Sequence, residues 1–282
     1  MVFSSFLIKN RKGLLHSIIL SSTSFSGKKV KKIIDEGLVS VNGIKVRKRN
    51  ISVSLKDSVE FSLSENFFQP VRNINILYED ESFLVVNKPP FINTNKDKPN
   101  LEEVLRERFG FVYAVHRLDK QTSGAVIFAK NKDVLNKMVS LFKNKQVRKI
   151  YKTVVCGRFP KFKKILFKLD GREAVSIVKP KEMFENATFI TVEIETGRKH
   201  QIRKHLSIAG FPVVGEFLYW ERTYPFLLRF VPRILLHSER ILFKSPISGN
   251  EIDVNAPLLK DFEDFLDVLR RGRKSLPLKE YT

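Results

Sequence analysis

His116-Arg117-Leu118-Asp119-Lys120-Gln121-Thr122-Ser123-Gly124 sets one carboxylate between two apolar, β-prone runs, Phe111 to Val115 and Ala125 to Ala129. An arginine stands just upstream of Asp119; hydroxyl residues and a glycine follow it. Nearby cations keep a carboxylate ionised, and an ionised aspartate can act as a nucleophile or a base. Asp, Ser and Gly are also ordinary turn residues between strands. The spacing by itself is open to both readings.

Composition narrows the partners. The 282 residues carry 51 Lys+Arg against 30 Asp+Glu, a formal net charge of +21. A surplus of that size calls for a polyanion, either nucleic acid or an anionic membrane. No apolar run approaches the ~18 residues that span a bilayer, and Lys9, Arg11 and Lys12 interrupt any signal-peptide core. Nucleic acid is the better match, with no membrane partner and a cytoplasmic location expected. The single Cys156 leaves no intramolecular disulfide and no Cys-rich zinc site. His200 and His205 are five apart, about 140° around a helix rather than on one metal-binding face. No metal and no cofactor are expected.

The nine residues from His116 to Gly124 match the HRLDxxTSG signature at every fixed position, and the chain resembles the RluA-type pseudouridine synthases. The resemblance implies isomerisation of uridine to pseudouridine in RNA, with Asp119 as the essential catalytic residue. Three further stretches are similar to the same family, in order. Arg148-Lys149-Ile150-Tyr151-Lys152 carries a catalytic-site tyrosine, Tyr151. Thr196-Gly197-Arg198-Lys199-His200-Gln201-Ile202-Arg203 carries the arginine that pairs with the aspartate, Arg203. Arg233-Ile234-Leu235-Leu236-His237 closes the set, with Leu236 as a wall of the uracil pocket. The resemblance also carries His116, Arg117, Thr122, Arg198, His200 and Gln201 over as substrate contacts. Arg117 is placed to enter the gap left by an extruded uridine.

The sequence departs from that pattern at three positions. Phe91 stands where members often carry glycine, and Asn95 where they often carry histidine. Glu216 replaces a usual aspartate and keeps its charge.

The first sixty or so residues read as a small α/β module over 11–66. Ser26 to Glu36 places Val30, Ile33 and Ile34 on one helical face, ringed by Lys28, Lys29, Lys31 and Lys32, and Gly37 ends the helix. Leu38 to Val46 alternates around Asn42-Gly43, a strong hairpin signal. Asp57 to Leu63 supplies a later strand. This stretch resembles the S4 RNA-binding domain, which implies RNA contacts from the four lysines, Asn42 and Lys45. Arg11 to Ser21 matches less clearly, and the first ten residues match nothing recognised.

Pro70 and its polar neighbours mark a linker to a catalytic domain over 71–282. Ile76 to Lys88 reads as two strands around Glu79 to Ser82, and Asn100 caps a helix from Leu101 to Phe109. Another helix is expected over about 133–142, alternation returns over 187–195, and Leu258 to Leu269 forms an amphipathic helix. Strands and helices mix without βαβ alternation, which gives an α+β class. The resemblance implies a mixed, largely antiparallel sheet.

Large-subunit ribosomal RNA is the first expectation for the substrate and transfer RNA the second, acted on by a monomer. The rival is a non-catalytic RNA-binding or ribosome-associated protein. A kinase is excluded, since the aspartate does not directly follow His-Arg and no glycine-rich loop or Asp-Phe-Gly segment is present.

Overall fold

In the computed structural model, residues 3–65, 67–69, 71 and 73–282 are described; the Pro70 linker expectation lies outside them. Among these residues two larger sheets and a two-stranded ribbon form. The larger sheet runs Lys163–Ile165, Ser176–Met183, Ala187–Ile194, Arg148–Cys156, Leu236–Lys244, Ser123–Ala129, Phe83–Lys88, Asn75–Glu79. Its neighbours are antiparallel except at the centre, where Ser123–Ala129 meets Leu236–Lys244 in parallel through Ser123–His237 and Gly124–Ser238. Further along, Leu236–Lys244 pairs instead with Glu251–Asn255. The two strands beside this central split both lead from the motif loops.

Both faces of the central strands are covered, so every residue of Phe83–Lys88 and Ser123–Ala129 is buried. Alternate residues feed different cores, as the period of two requires. Leu84, Val86, Val126 and Phe128 join the core that holds Tyr151, Ile202 and Leu236. Phe83, Val85, Ala125 and Ile127 face Val134 and Met138 of helix Lys132–Lys143. Asn100 caps helix Leu101–Phe109 by accepting from the Glu103 N–H. The expected strand over 111–115 shrinks to Tyr113–Ala114, because the chain first turns at Gly110 and leaves Phe111 79% exposed.

The smaller sheet runs Leu278–Tyr281, Phe3–Ile8, Val59–Ser64, Val39–Val41, Ile44–Lys45. Helices Leu15–Ser22 and Gly27–Asp35 pack on it, with Val30, Ile33 and Ile34 fully buried as their spacing predicts. Ser26 caps the second helix through the Lys29 N–H. The first ten residues, unmatched as sequence, supply a central strand that pairs in parallel with the far end of the chain. The sheet therefore reaches beyond 11–66 at both ends.

His237 illustrates how tightly the central split is packed. It is fully buried; Nε2 lies 3.1 Å from the Ala256 carbonyl and Nδ1 2.9 Å from Ser123 Oγ. A neutral ring with its proton on Nε2 donates to the first and accepts from the second. Burial pushes its pKa down to about 4. Below the ordinary histidine range the unfolded chain takes a proton that the folded one refuses, so stability falls as pH drops from about 6.5 toward 4. We expect wild type to lose about 2 kcal/mol more than His237→Gln between pH 7 and pH 5 in urea unfolding. Equal slopes for the two proteins would contradict the neutral buried ring.

Candidate active site

Asp119 sits in the turn entering strand Ser123–Ala129, and the turn is pinned from several sides. The Thr122 N–H donates to the Asp119 carbonyl at 3.0 Å, and the Leu118 N–H donates to Thr94 Oγ1 at 3.2 Å. The Lys120 carbonyl accepts from the Phe91 N–H at 2.7 Å and from Lys88 Nζ at 3.2 Å. Lys88 is fully buried, and its ammonium also donates to the carbonyls of Pro89 and Ile92. Burial pushes its pKa down to about 7, against three carbonyls that need three N–H donors. Gly124 is required by contact: a Cβ there would stand 2.2 Å from the Ser238 carbonyl oxygen, at φ +110°.

The Asp119 carboxylate meets two cationic or polar partners. Arg203 Nη1 lies 3.4 Å from Oδ2, and His200 Nε2 lies 3.4 Å from Oδ1. Arg203 projects from helix Gln201–Ile208 and is almost wholly buried. Its closest partner is Glu216, which accepts from Nε at 2.6 Å and Nη2 at 2.8 Å. Glu216 Oε1 further accepts from the backbone N–H groups of Phe217, Leu218 and Tyr219. Burial disfavours both charges, but their mutual hydrogen bonds and attraction outweigh it: the arginine pKa rises and the glutamate pKa falls. Arg203 is thus held by one carboxylate and presents its remaining edge to another. Sequence analysis assigned the Asp119 contact and noted only that Glu216 keeps its charge; the bidentate partner was missed.

His200 is the residue before the helix, in the left-handed region at φ +54°. Nδ1 lies 2.7 Å from the Tyr219 hydroxyl. Burial lowers its pKa, partly offset by Asp119 and reinforced by Arg203 and Lys199. A neutral ring accepts from the Tyr219 hydroxyl at Nδ1 and turns Nε2 toward the Asp119 carboxylate. His205, five residues on, is buried with its nitrogens on Ser176 Oγ and the Phe167 carbonyl.

A pocket of about 100 Å³ opens over this pair. Tyr151, Leu118, Ile194, Ile202 and Leu236 give it an apolar lining, and Arg117, Thr122, Arg198 and Gln201 also line it. Tyr151 projects from strand Arg148–Cys156 just past a register shift, and burial raises its phenol pKa, which keeps it protonated. Several of these residues are committed inside the protein. Gln201 Oε1 accepts from Thr196 Oγ1 and the Arg198 N–H, while Nε2 donates to the Val175 carbonyl and Ser176 Oγ. Arg198 Nε donates to the Glu173 carbonyl. Arg117 is exposed at the mouth.

His116 is not among the pocket's lining residues. Its Nε2 accepts from the Ile127 N–H at 3.2 Å and its ring stacks on Phe142, so it braces the strand behind the motif. Burial, with Lys149 nearby, pushes its pKa down to about 3.

Of the expected RNA contacts, Lys28, Lys29 and Lys31 are exposed on helix Gly27–Asp35. Lys32 donates to the Phe67 carbonyl at 3.1 Å. Asn42 donates to Asp57 and accepts from the Ser58 N–H. Lys45 donates to the Leu38 and Arg229 carbonyls, and burial pushes its pKa down to about 8. Lys45 is committed to the protein's own carbonyls, while Lys32 and Asn42 remain exposed beside their internal hydrogen bonds.

A carboxylate stands at a largely apolar pocket beside an arginine and a histidine, in a strongly basic chain. The RNA pseudouridylate synthase family matches residues 82–208. An uncharacterized RNA pseudouridine synthase of Helicobacter pylori is 32% identical over 263 residues, 88% of this chain and 98% of its own. Ribosomal large subunit pseudouridine synthase D of Haemophilus ducreyi is 28% identical over 284 residues, 87% of each chain. Human RNA Pseudouridylate Synthase Domain Containing 4 shares the fold, with a TM-score of 0.59 and 23% identity over 70% of this chain and 93% of that one. The chain belongs to the RluA-type RNA pseudouridine synthases and is an isomerase.

Proposed function

We propose that the chain converts specific uridines of large-subunit ribosomal RNA to pseudouridine, with Asp119 as the reacting carboxylate. The observation that carries the assignment is the Asp119 carboxylate in the pocket lining, 3.4 Å from both Arg203 and His200 and beside apolar side chains. The reaction is an isomerisation: the bond from ribose C1′ to uracil N1 breaks, one from C1′ to C5 forms, and the C5 proton is lost as N1 gains one. Asp119 attacks C1′ or C6, or assists glycosidic cleavage. Arg203 orients that carboxylate. Tyr151, buried and protonated, lies against the base or sugar, with Leu236 in the same pocket lining.

Residues 11–66 are proposed as an S4-like module whose exposed Lys28, Lys29 and Lys31 meet phosphates, and 71–282 as the catalytic domain. The rRNA assignment draws support from the relatives named for the large ribosomal subunit. No helix among the described residues is long and apolar enough to cross a membrane.

The test is tritium release from RNA labelled at uridine C5, with unmodified large-subunit ribosomal RNA and transfer RNA as separate substrates. Release from ribosomal RNA is expected, and release from transfer RNA alone would overturn that choice. The same assay examines Arg117. A guanidinium stacked in the vacated site is worth ~1–3 kcal/mol, so Arg117→Ala is expected to slow release roughly tenfold to a hundredfold. Unchanged release would reduce Arg117 to a phosphate contact.

A further inference from the structure

The end of helix Gly27–Asp35 touches the residues that follow Asp119 and the one that follows Glu216. Glu36 follows the helix, and its carboxylate, 15% exposed, forms an ion pair with Lys120, the residue after Asp119. The Glu36 carbonyl is one of the acceptors that a helix terminus leaves without an intrahelical donor. It accepts from Gln121 Nε2 at 2.6 Å. Gln121 is buried, and its Oε1 accepts from the Ile234 N–H, so the amide ties the helix end to the motif turn and to the chain leading into Leu236.

Two aromatic contacts add to this. Gly37, at φ +69°, lies so near Phe217 that a Cβ would stand 2.8 Å from its ring. Phe217 follows Glu216, the clamp on Arg203, and its ring lies between the guanidinium groups of Arg47 and Arg203, 5.2 and 5.7 Å away. On the other side Phe91 packs edge-on against Phe67, with ring centres 4.5 Å apart. Phe91 sits at φ +67°, a conformation a bulky side chain rarely adopts. Its N–H bonds the Lys120 carbonyl. The phenylalanine that departs from the family's usual glycine thus links Phe67 to the Asp119 turn.

We propose that the N-terminal module is a positioning element of the catalytic pocket, in which Glu36, through Lys120 and Gln121, holds the Asp119 turn in register with Arg203. This rests on Asp119 being the reacting carboxylate. The module then does more than grip RNA: the helix that carries Lys28, Lys29 and Lys31 on its outer face bears on the reacting group at its inner end. An exposed ion pair contributes little by itself, so the decisive variants replace attraction by repulsion. Glu36→Lys sets two ammonium groups against each other. Gln121→Glu turns a carboxylate oxygen toward the Glu36 carbonyl and leaves the Ile234 contact intact.

The experiment uses the full chain and two readouts. Amide hydrogen exchange without RNA reports the order of residues 117–122. Single-turnover tritium release from large-subunit ribosomal RNA, with the RNA Kd measured in parallel, reports chemistry. Each variant is expected to accelerate exchange in 117–122 and to slow the single-turnover rate roughly tenfold to a hundredfold, the scale of a displacement near 1 Å. The RNA Kd stays within about twofold, and the exchange Glu36→Lys with Lys120→Glu restores protection. If one variant fails to fold, the other carries the test. Unchanged exchange in 117–122 overturns the proposal, including the case where activity falls through weaker RNA binding. Wild type that releases no tritium would overturn the functional assignment instead, and exchange would still decide the positioning role.

Discussion

Asp119→Asn is expected to bind RNA as wild type does and to make no pseudouridine. The substitution keeps the shape of the side chain and removes its charge, and with it nucleophilicity and basicity toward the sugar or base. Binding survives because it rests on the field of a +21 chain rather than on one carboxylate. The loss should be complete within assay limits, at least ~10⁴-fold, since no other described acidic side chain lines the pocket and the nearby Glu216 is fully buried and already clamped on Arg203. A gel-shift titration beside the tritium assay separates the two effects. Binding lost together with turnover would assign Asp119 to the fold or to RNA recognition.

Glu216→Ala is expected to have the largest effect on stability. Arg203 is only 4% exposed and Glu216 not at all, so removing the glutamate leaves a buried cation facing a cavity. Breaking a buried pair from one side costs about 3–5 kcal/mol. The three N–H groups of Phe217, Leu218 and Tyr219 lose their acceptor in the same step. Arg203 then has Asp119 as its remaining carboxylate partner, and the geometry of the reacting group changes with it. Urea unfolding should show the loss directly, with turnover falling by at least tenfold. Glu216→Asp, the usual family residue, should recover much of both. A variant as stable as wild type would mean that the pair contributes nothing net.

The motif was legible because its information is local. A carboxylate in a turn, hydroxyl residues after it and apolar runs beyond are all present within nine residues. Asn100 before Leu101–Phe109, and the 30, 33, 34 stripe before Gly37, are equally local and emerge in the fold with their capping bonds. What stayed hidden was set by long-range partners. Nothing near Phe3–Ile8 signals that it pairs with Leu278–Tyr281 at the opposite end of the chain. Arg203 and Glu216 are thirteen residues apart, on a helix and a following loop, and no periodicity links them.

Chemical type alone says little about His116, Gln201 and Lys45. Each is polar and motif-borne, yet its hydrogen bonds are spent on the protein's own backbone or side chains. Buried polar groups must find partners, and a single sequence does not show which polar residues have been enlisted for that purpose. Phe91 was readable as a departure, while its contact with Phe67 and the Asp119 turn required coordinates.

The most direct measurement is a pseudouridine map of unmodified ribosomal RNA, by carbodiimide labelling and primer extension, after treatment with wild type or Asp119→Asn. New stops in large-subunit RNA with wild type and none with the variant are the predicted result. Equal stops with both proteins, or none with wild type on any RNA, would contradict the assignment of this pocket as the site of uridine isomerisation.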